Sequence, residues 1–392
     1  MGVARSVKKK ILTQGGRRLI ATAVGLQLLV GVPSASAAGD GDGIGKPIYT
    51  VQPLKTLPPA GGVLRTTATL KIVTVPTWSG KFSYKLAGGL VRQFPYTMVG
   101  TSPFQGSATT VVPTEIIPIS LTFSNGVTLD GASRVLLTVA SPIFSSFASQ
   151  AGTTQFGDAV TRGSFHSVVE SKSPDWHVLL GQPTVLPTQN LTVPSDAGIQ
   201  ITGSQTGMPI GLVDIAWFSA ELQRLLTTIN PSPRSLPIFL TYNSFLFFGN
   251  PTNCCALGFH SALASSGSDN TENIHTFVWA SYSDPSIFGR QIEDITALSH
   301  EVAEWYSDPL VNNAVPAWPK PGSTACFSNI LEVGDAIEPF PNLSFRVVLN
   351  GNEYHPQDVA FFSWFTRQVP SIGLKGRYSY RGDKFTAPAP GC

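Results

Sequence analysis

Charge is scarce in this chain. Asp, Glu, Lys and Arg make up 13% of 392 residues and leave a net charge of +2 at pH 7. A nucleic-acid partner would require a concentrated basic face, and no such cluster follows the first few residues. Cysteine occurs four times, methionine three times and histidine six times. No C-x-x-C pair is present to chelate zinc, and no G-x-S-x-G elbow is present to carry a nucleophilic serine. Past residue 37 no apolar run is long enough to span a bilayer, so no stable membrane association is expected of the processed chain. Few charges together with 37 Gly and 31 Pro would suit disorder. However, 42% hydrophobic residues and 23 Phe predict a packed, turn-rich and strand-rich fold.

What is there begins with a leader. Lys8, Lys9, Lys10, Arg17 and Arg18 precede the apolar stretch LIATAVGLQLLVGV, and Ala35-Ser36-Ala37 offers small residues for cleavage. Residues 1–37 are read as a signal peptide and the protein as secreted; an uncleaved anchor is the alternative. In an exported chain Cys254, Cys255, Cys326 and Cys392 favour disulfides, with three possible pairings. Adjacent Cys254 and Cys255 are expected to reach forward separately, one to Cys326 and one to Cys392.

Residues 38–90 read as an exposed leader followed by a strand-rich segment, and 91–392 as one α+β domain. TATLKIVTV, KFSYKLAGG, IIPISLTF and SRVLLTVA look like strands, and SPIFSSFAS like a short helix. In 211–229 Val213, Trp217, Leu222, Leu225 and Leu226 fall near one helical face, and Asn230-Pro231 ends it. A strand or hairpin is predicted over 236–248, a strand over 273–283, a long loop over 309–330, and a hairpin turning at Asn350-Gly351-Asn352.

One stretch carries chemistry. In ALSHEVAEWYSDP, residues 297–309, a helix would place Ile295, Leu298, Val302 and Trp305 on one side and His300, Glu301, Glu304 and Asp308 on the other. Asp294 or Thr296 is available to cap its start, and Pro309 stops it. His300 and Glu304 lie one turn apart and can converge on a single ion. Glu301 would stand beside that ion and move a proton. The bland alternative is a solvated polar face. A third ligand is sought in NILEVGDAIEP, where Glu332 and Asp335 lie about 30 residues downstream of His300. His260 is read as packed in the core, with ligand and donor roles as rivals, and His355 is ambiguous. His166, His177 and His275 carry no motif.

SHEVAEWYSDP, the Trp that follows and NILEVGD resemble a group of secreted bacterial zincin-like metallopeptidases with an H-E-x-x-E motif. A looser similarity links GFH and the turn after the helix to Exordium-type phosphate-induced secreted proteins. The first resemblance covers mainly 250–340, and more faintly TQFGDAVTRGSF and WHVLLGQPTVLP. It implies a zincin-like domain with a mixed or antiparallel sheet and a metal-site helix. It further implies His300, Glu304 and Glu332 as metal ligands, with Asp335 the rival or partner of Glu332, and Glu301 as general base. The ion implied is Zn²⁺; an extra anionic ligand in place of histidine favours the harder Ca²⁺ or Mn²⁺. The expectation is therefore a secreted metal-dependent peptidase acting on protein or peptide, with strand 273–283 as the edge that pairs with substrate. The alternative is a non-catalytic cell-surface or polysaccharide-binding protein whose metal site is relic or structural.

Overall fold

The computed structural model describes residues 71–392 apart from 87, 173–174, 267–270 and 289–291. The expected signal peptide and the leader up to residue 70 lie outside the described residues. Eight strands pair into one mixed sheet: β1 (Lys71–Val73), β2 (Thr114–Thr122), β3 (Thr128–Asp130), β4 (Thr184–Val185), β5 (Gln189–Thr192), β6 (Leu236–Tyr242), β7 (Gly258–Ser266) and β8 (Thr271–Tyr282). β4 and β5 run parallel to β2, β2 to β6, and β6 to β8. β7 closes the row antiparallel to β8, in register from Gly258 opposite Ala280 to Ser266 opposite Glu272. Strand 273–283 is thus not the edge: β8 is bonded to β7 on one side and to β1 and β6 on the other. Among the described residues β7 has no strand on its outer side.

The period-two alternation of these strands builds two cores. Ile117, Ile119, Phe239, Phe277 and Trp279 meet the apolar face of helix α2 (Ile215–Ile229). Ile116, Ile238, Leu240, Val278 and Ala280 belong to the opposite core, with residues of α1 (Phe156–Ser164) and α3 (Thr296–Ser307). His260 sits opposite Val278 and Phe259 opposite Trp279, so the same alternation turns His260 toward α3. The helix expected over 211–229 starts only at Ile215: Pro209–Asp214 is a strand that takes Val213, and Asp214 caps α2 by accepting from the Ala216 and Trp217 N–H groups at 2.9 and 3.2 Å. It ends on left-handed Asn230, as predicted. The fold is mixed α+β, rich in strand and with few helices.

Several local expectations are corrected. SRVLLTVA is a 3-10 turn (Gly131–Arg134) running into a helix (Val135–Val139). Asp130 caps that turn, and Gly131 lets it lie flat on the sheet, where a Cβ would sit 2.2 Å from the Leu240 carbonyl oxygen. SPIFSSFAS forms turns and a short strand (Phe147–Ser149) rather than a helix. The run 236–248 splits at left-handed Asn243 into β6 and a strand of a second sheet (Ser244–Phe247). Residues 309–330 hold a hairpin, Ala314–Pro319 against Cys326–Ile330. The hairpin at 350–352 forms as predicted.

The expected disulfide pairing is also overturned. Cys254 and Cys255 are joined to each other, and Cys326 to Cys392. The adjacent pair is buried in its own strand (Cys254–Ala256) of the second sheet, which keeps it from Cys326. The C-terminal tail reaches that cysteine because the Ala389 N–H donates to the Trp364 carbonyl and Arg367 donates to that of Pro390. Nor does the chain divide between residues 90 and 91. Thr77–Lys85 and Val91–Val99 pair across that point.

Candidate metal centre

Helix α3 is not a surface helix with one wet face. Every residue from Thr296 to Tyr306 is buried. Its apolar side packs as the periodicity predicts, and Trp305 donates its indole N–H to Thr276 on β8 at 2.9 Å. Its polar side faces other polar side chains inside the protein, so the solvated-face reading fails. Neither predicted cap forms. Asp294 instead accepts from the His355 N–H at 2.9 Å and lies 2.7 Å from its Nδ1. Thr296 donates to the carbonyls of Glu293 and His355. At the other end Asp308 accepts from the Asn312 and Asn313 N–H groups at 2.9 Å each, which turns the chain at Pro309.

Three elements bring the functional groups together. α3 supplies His300, Glu301 and Glu304; β7 supplies His260; the loop after the Ala314–Pro319/Cys326–Ile330 hairpin supplies Glu332 and Asp335. His300 Nε2 lies 3.2 Å from Glu304 Oε2, 3.6 Å from Asp335 Oδ1 and 3.9 Å from Glu301 Oε1. His260 Nδ1 lies 3.3 Å from Glu301 Oε2 and 3.6 Å from Glu304 Oε2. Glu304 Oε1 accepts from the Gly334 and Asp335 N–H groups at 3.0 and 3.2 Å, which fixes the loop against the helix. Two glycines make the approach possible. A Cβ on Gly334 would sit 2.5 Å from His300 Nδ1, and one on Gly258 2.7 Å from Glu301 Cγ.

All six side chains are buried, none more than 3% exposed. Ionised carboxylates at such a depth require partners. Burial, with Glu304 and Asp335 close by, pushes Glu332 far above the ordinary carboxylate range. Burial and Glu304 do the same to Asp335. Burial raises Glu301 as well. Burial opposes a charge on His300, yet Glu304 and Glu301 overrule it and raise His300 to about 10. Burial likewise works upward on Glu304, and the charge of His300 reverses this, to about 2. Glu304 is the one carboxyl of the cluster that protein cations hold ionised.

The donors fit a divalent ion. Glu332 meets only the Glu304 carboxyl, and no hydrogen bond reaches Oδ1 of Asp335, Oε1 of Glu301 or Nε2 of His260. Imidazole nitrogen and carboxylate oxygen are the ligand types zinc accepts. Among the described residues two groups have ligand atoms all within 4.8 Å of one another: His260, Glu304 and Glu332, and His300, Glu301 and Glu304. Of the residues anticipated from the sequence, His300, Glu301, Glu304 and Glu332 are therefore all in the cluster. Glu332, however, stands with His260, whereas Asp335 stands with His300. His260, read as a packing residue, belongs to the site. His355 is outside the cluster, bound to Asp294, Glu293 and Glu353. Compared with protein-family models, with curated proteins and with solved structures, the chain matches none of them.

Proposed function

We propose that the chain is a secreted metal-dependent peptidase of zincin-like architecture, in which Glu304, flanked by His260 and Glu332 on one side and by His300 and Asp335 on the other, holds Zn²⁺ and Glu301 moves the proton. The observation that carries this reading is the set of buried, unbonded ligand atoms gathered on the H-E-x-x-E helix. Mixed imidazole and carboxylate donors favour zinc over calcium, which takes oxygen alone. The position of α3 supports the architecture: it follows β8, and it faces the antiparallel edge strand through His260.

When bound, zinc polarises a carbonyl and lowers the pKa of water. The residues of the chain do the rest. Glu301, raised by burial and placed beside the His300–Glu304 pair, suits proton uptake and return to a leaving amine. His260, 3.3 Å away, orients its carboxylate. The outer side of β7 supplies a backbone edge on which an extended peptide can pair.

A second reading, a non-catalytic protein with a closed structural metal site, is favoured by one observation. The donors are at most 3% exposed, whereas a catalytic ion needs an open position. Trp176, Trp279, Trp305, Trp318 and Trp364 are core residues, which leaves Trp78 and Trp217, both partly exposed, as the tryptophans a sugar could meet. Elemental analysis of the purified protein with peptidase assay decides. Zinc lost in His300→Ala and Glu304→Ala, with peptide cleavage lost in Glu301→Gln, is the expected result. Bound zinc with no cleavage of any peptide library leaves the structural reading, and a protein that takes up no metal sinks both.

A further inference from the structure

We infer that the centre holds two divalent cations, not one, on either side of the Glu301 and Glu304 carboxylates. The inference rests on the metal reading above but not on peptidase activity. Glu301 directs Oε2 toward His260 and Oε1 toward His300, at 3.3 and 3.9 Å. Glu304 Oε2 lies within 3.6 Å of both histidines. Each histidine has a further carboxylate of its own, Glu332 beside His260 and Asp335 beside His300. The result is one histidine and one terminal carboxylate on each side, with two carboxylates spanning the middle. His260 and His300 do not fall in one compact ligand group, as a single shared ion would require, but in two groups joined through Glu304.

Charge points the same way. With metal bound, both imidazoles are neutral ligands, and Glu301, Glu304, Glu332 and Asp335 can all ligate as carboxylates, four negative charges in all. One divalent cation balances two of them and leaves the other two carboxyls protonated and without an ion at this depth. Two cations close the balance. The Lys320 ammonium is paired with Glu338 and also favours an ionised Asp335, so it is a single charge shared between the two. The ligand atoms are distributed accordingly: the Glu332 oxygens, which meet only the Glu304 carboxyl, and Nε2 of His260 on one side, Oδ1 of Asp335 on the other. Ions sharing bridging carboxylates lie about 3.5–4 Å apart and can act together on one substrate oxygen or water.

Metal stoichiometry tests this on the full-length protein. It is stripped with chelator, reloaded with excess Zn²⁺, desalted and measured by elemental analysis. Two equivalents per chain are expected, falling to about one in His260→Ala and in His300→Ala. Glu301→Gln is expected to lose metal if Glu301 spans the two ions, whereas full metal content with cleavage lost would mean that Glu301 is only a base beside a single ion and would overturn the inference. Should those variants fail to fold, wild-type protein reloaded with Mn²⁺ answers by electron paramagnetic resonance. An exchange-coupled pair is expected, and the hyperfine pattern of isolated ions overturns the inference. A single equivalent of zinc overturns it too while leaving the one-ion peptidase intact. No bound metal overturns both.

Discussion

Gly334 is where the site is most sensitive to one atom. Its missing Cβ leaves the space taken by the His300 ring, which an added methyl would approach to 2.5 Å, and its N–H holds Glu304 Oε1. The His300 ring cannot give way easily, because it is enclosed by buried Glu301, Glu304 and Asp335. Gly334→Ala is therefore expected to shift His300 or the loop by several tenths of an ångström and to cost about 1–3 kcal/mol through overpacking. Metal affinity should fall at least tenfold, because ligand geometry tolerates little displacement. Isothermal titration with Zn²⁺ reads the affinity and urea unfolding the stability. Unchanged values in both would show that the close approach of Gly334 and His300 has no consequence. The need for glycine at 334 and 258 was not legible in the sequence, where each is one of 37. It depends on which side chain arrives opposite, and that is settled by tertiary contact alone.

At the scale of elements, the helix of the site was readable and its surroundings were not. Ile295, Leu298, Val302 and Trp305 repeat at helical spacing, and Pro309 stops the run, so α3 could be placed from the periodicity. A hydrophobic pattern on one side, however, reads as a half-exposed helix whether the other side meets water or buried carboxylates. For the same reason β8 was taken for an edge. A strand apolar on both faces is interior, but length and composition do not say which neighbours it has. The loop beyond α3 was hidden by its prolines, and its anchor is Asn313. The Asn313 side chain accepts from the Thr97 N–H at 2.8 Å and donates to the carbonyls of Thr97 and Ser307 at 2.7 Å each. Its own carbonyl accepts from Leu331, the residue before Glu332. Asn313→Ala takes the partner from two buried Thr97 backbone groups and from the part-buried Ser307 carbonyl, and is expected to destabilise by about 3 kcal/mol. Because the same residue ties the end of α3 to the Glu332 loop, faster hydrogen exchange at 308–334 should accompany the loss. A loss under 1 kcal/mol with unchanged exchange would show that water replaces the side chain there.

For the molecule as a whole, scarcity of charge makes each buried ionisable group count in the pH dependence of stability. Asp358 lies outside the ligand cluster, although its neighbour Gln357 donates to Ser299 Oγ on α3 and to the Gly334 carbonyl, so its effect is read with metal removed. Asp358 is 1% exposed and accepts from the Val359 and Arg381 N–H groups at 2.9 and 3.0 Å, while Oδ2 has no hydrogen bond. Burial raises its carboxyl, Asp383 adds to the rise, and the backbone donors only partly offset it, to about 7. In the unfolded chain the same group titrates near 3.9. Between those values the folded protein holds a proton that the unfolded chain has released. Stability contributed by neutral Asp358 is therefore complete below about pH 4, declines as pH rises, and is gone above about pH 7. The shift corresponds to up to about 4 kcal/mol. Asp358→Asn keeps the shape and one carbonyl acceptor and never ionises, so it should flatten the slope of unfolding free energy against pH between 4 and 7. It should also raise stability at pH 8 relative to the parent, with little difference at pH 4. Urea unfolding of both proteins at pH 4, 6 and 8, with metal removed by chelator, measures this directly. Parallel curves would place the titration of Asp358 in the ordinary range and transfer any neutral-pH loss of stability to the carboxylates of the metal centre.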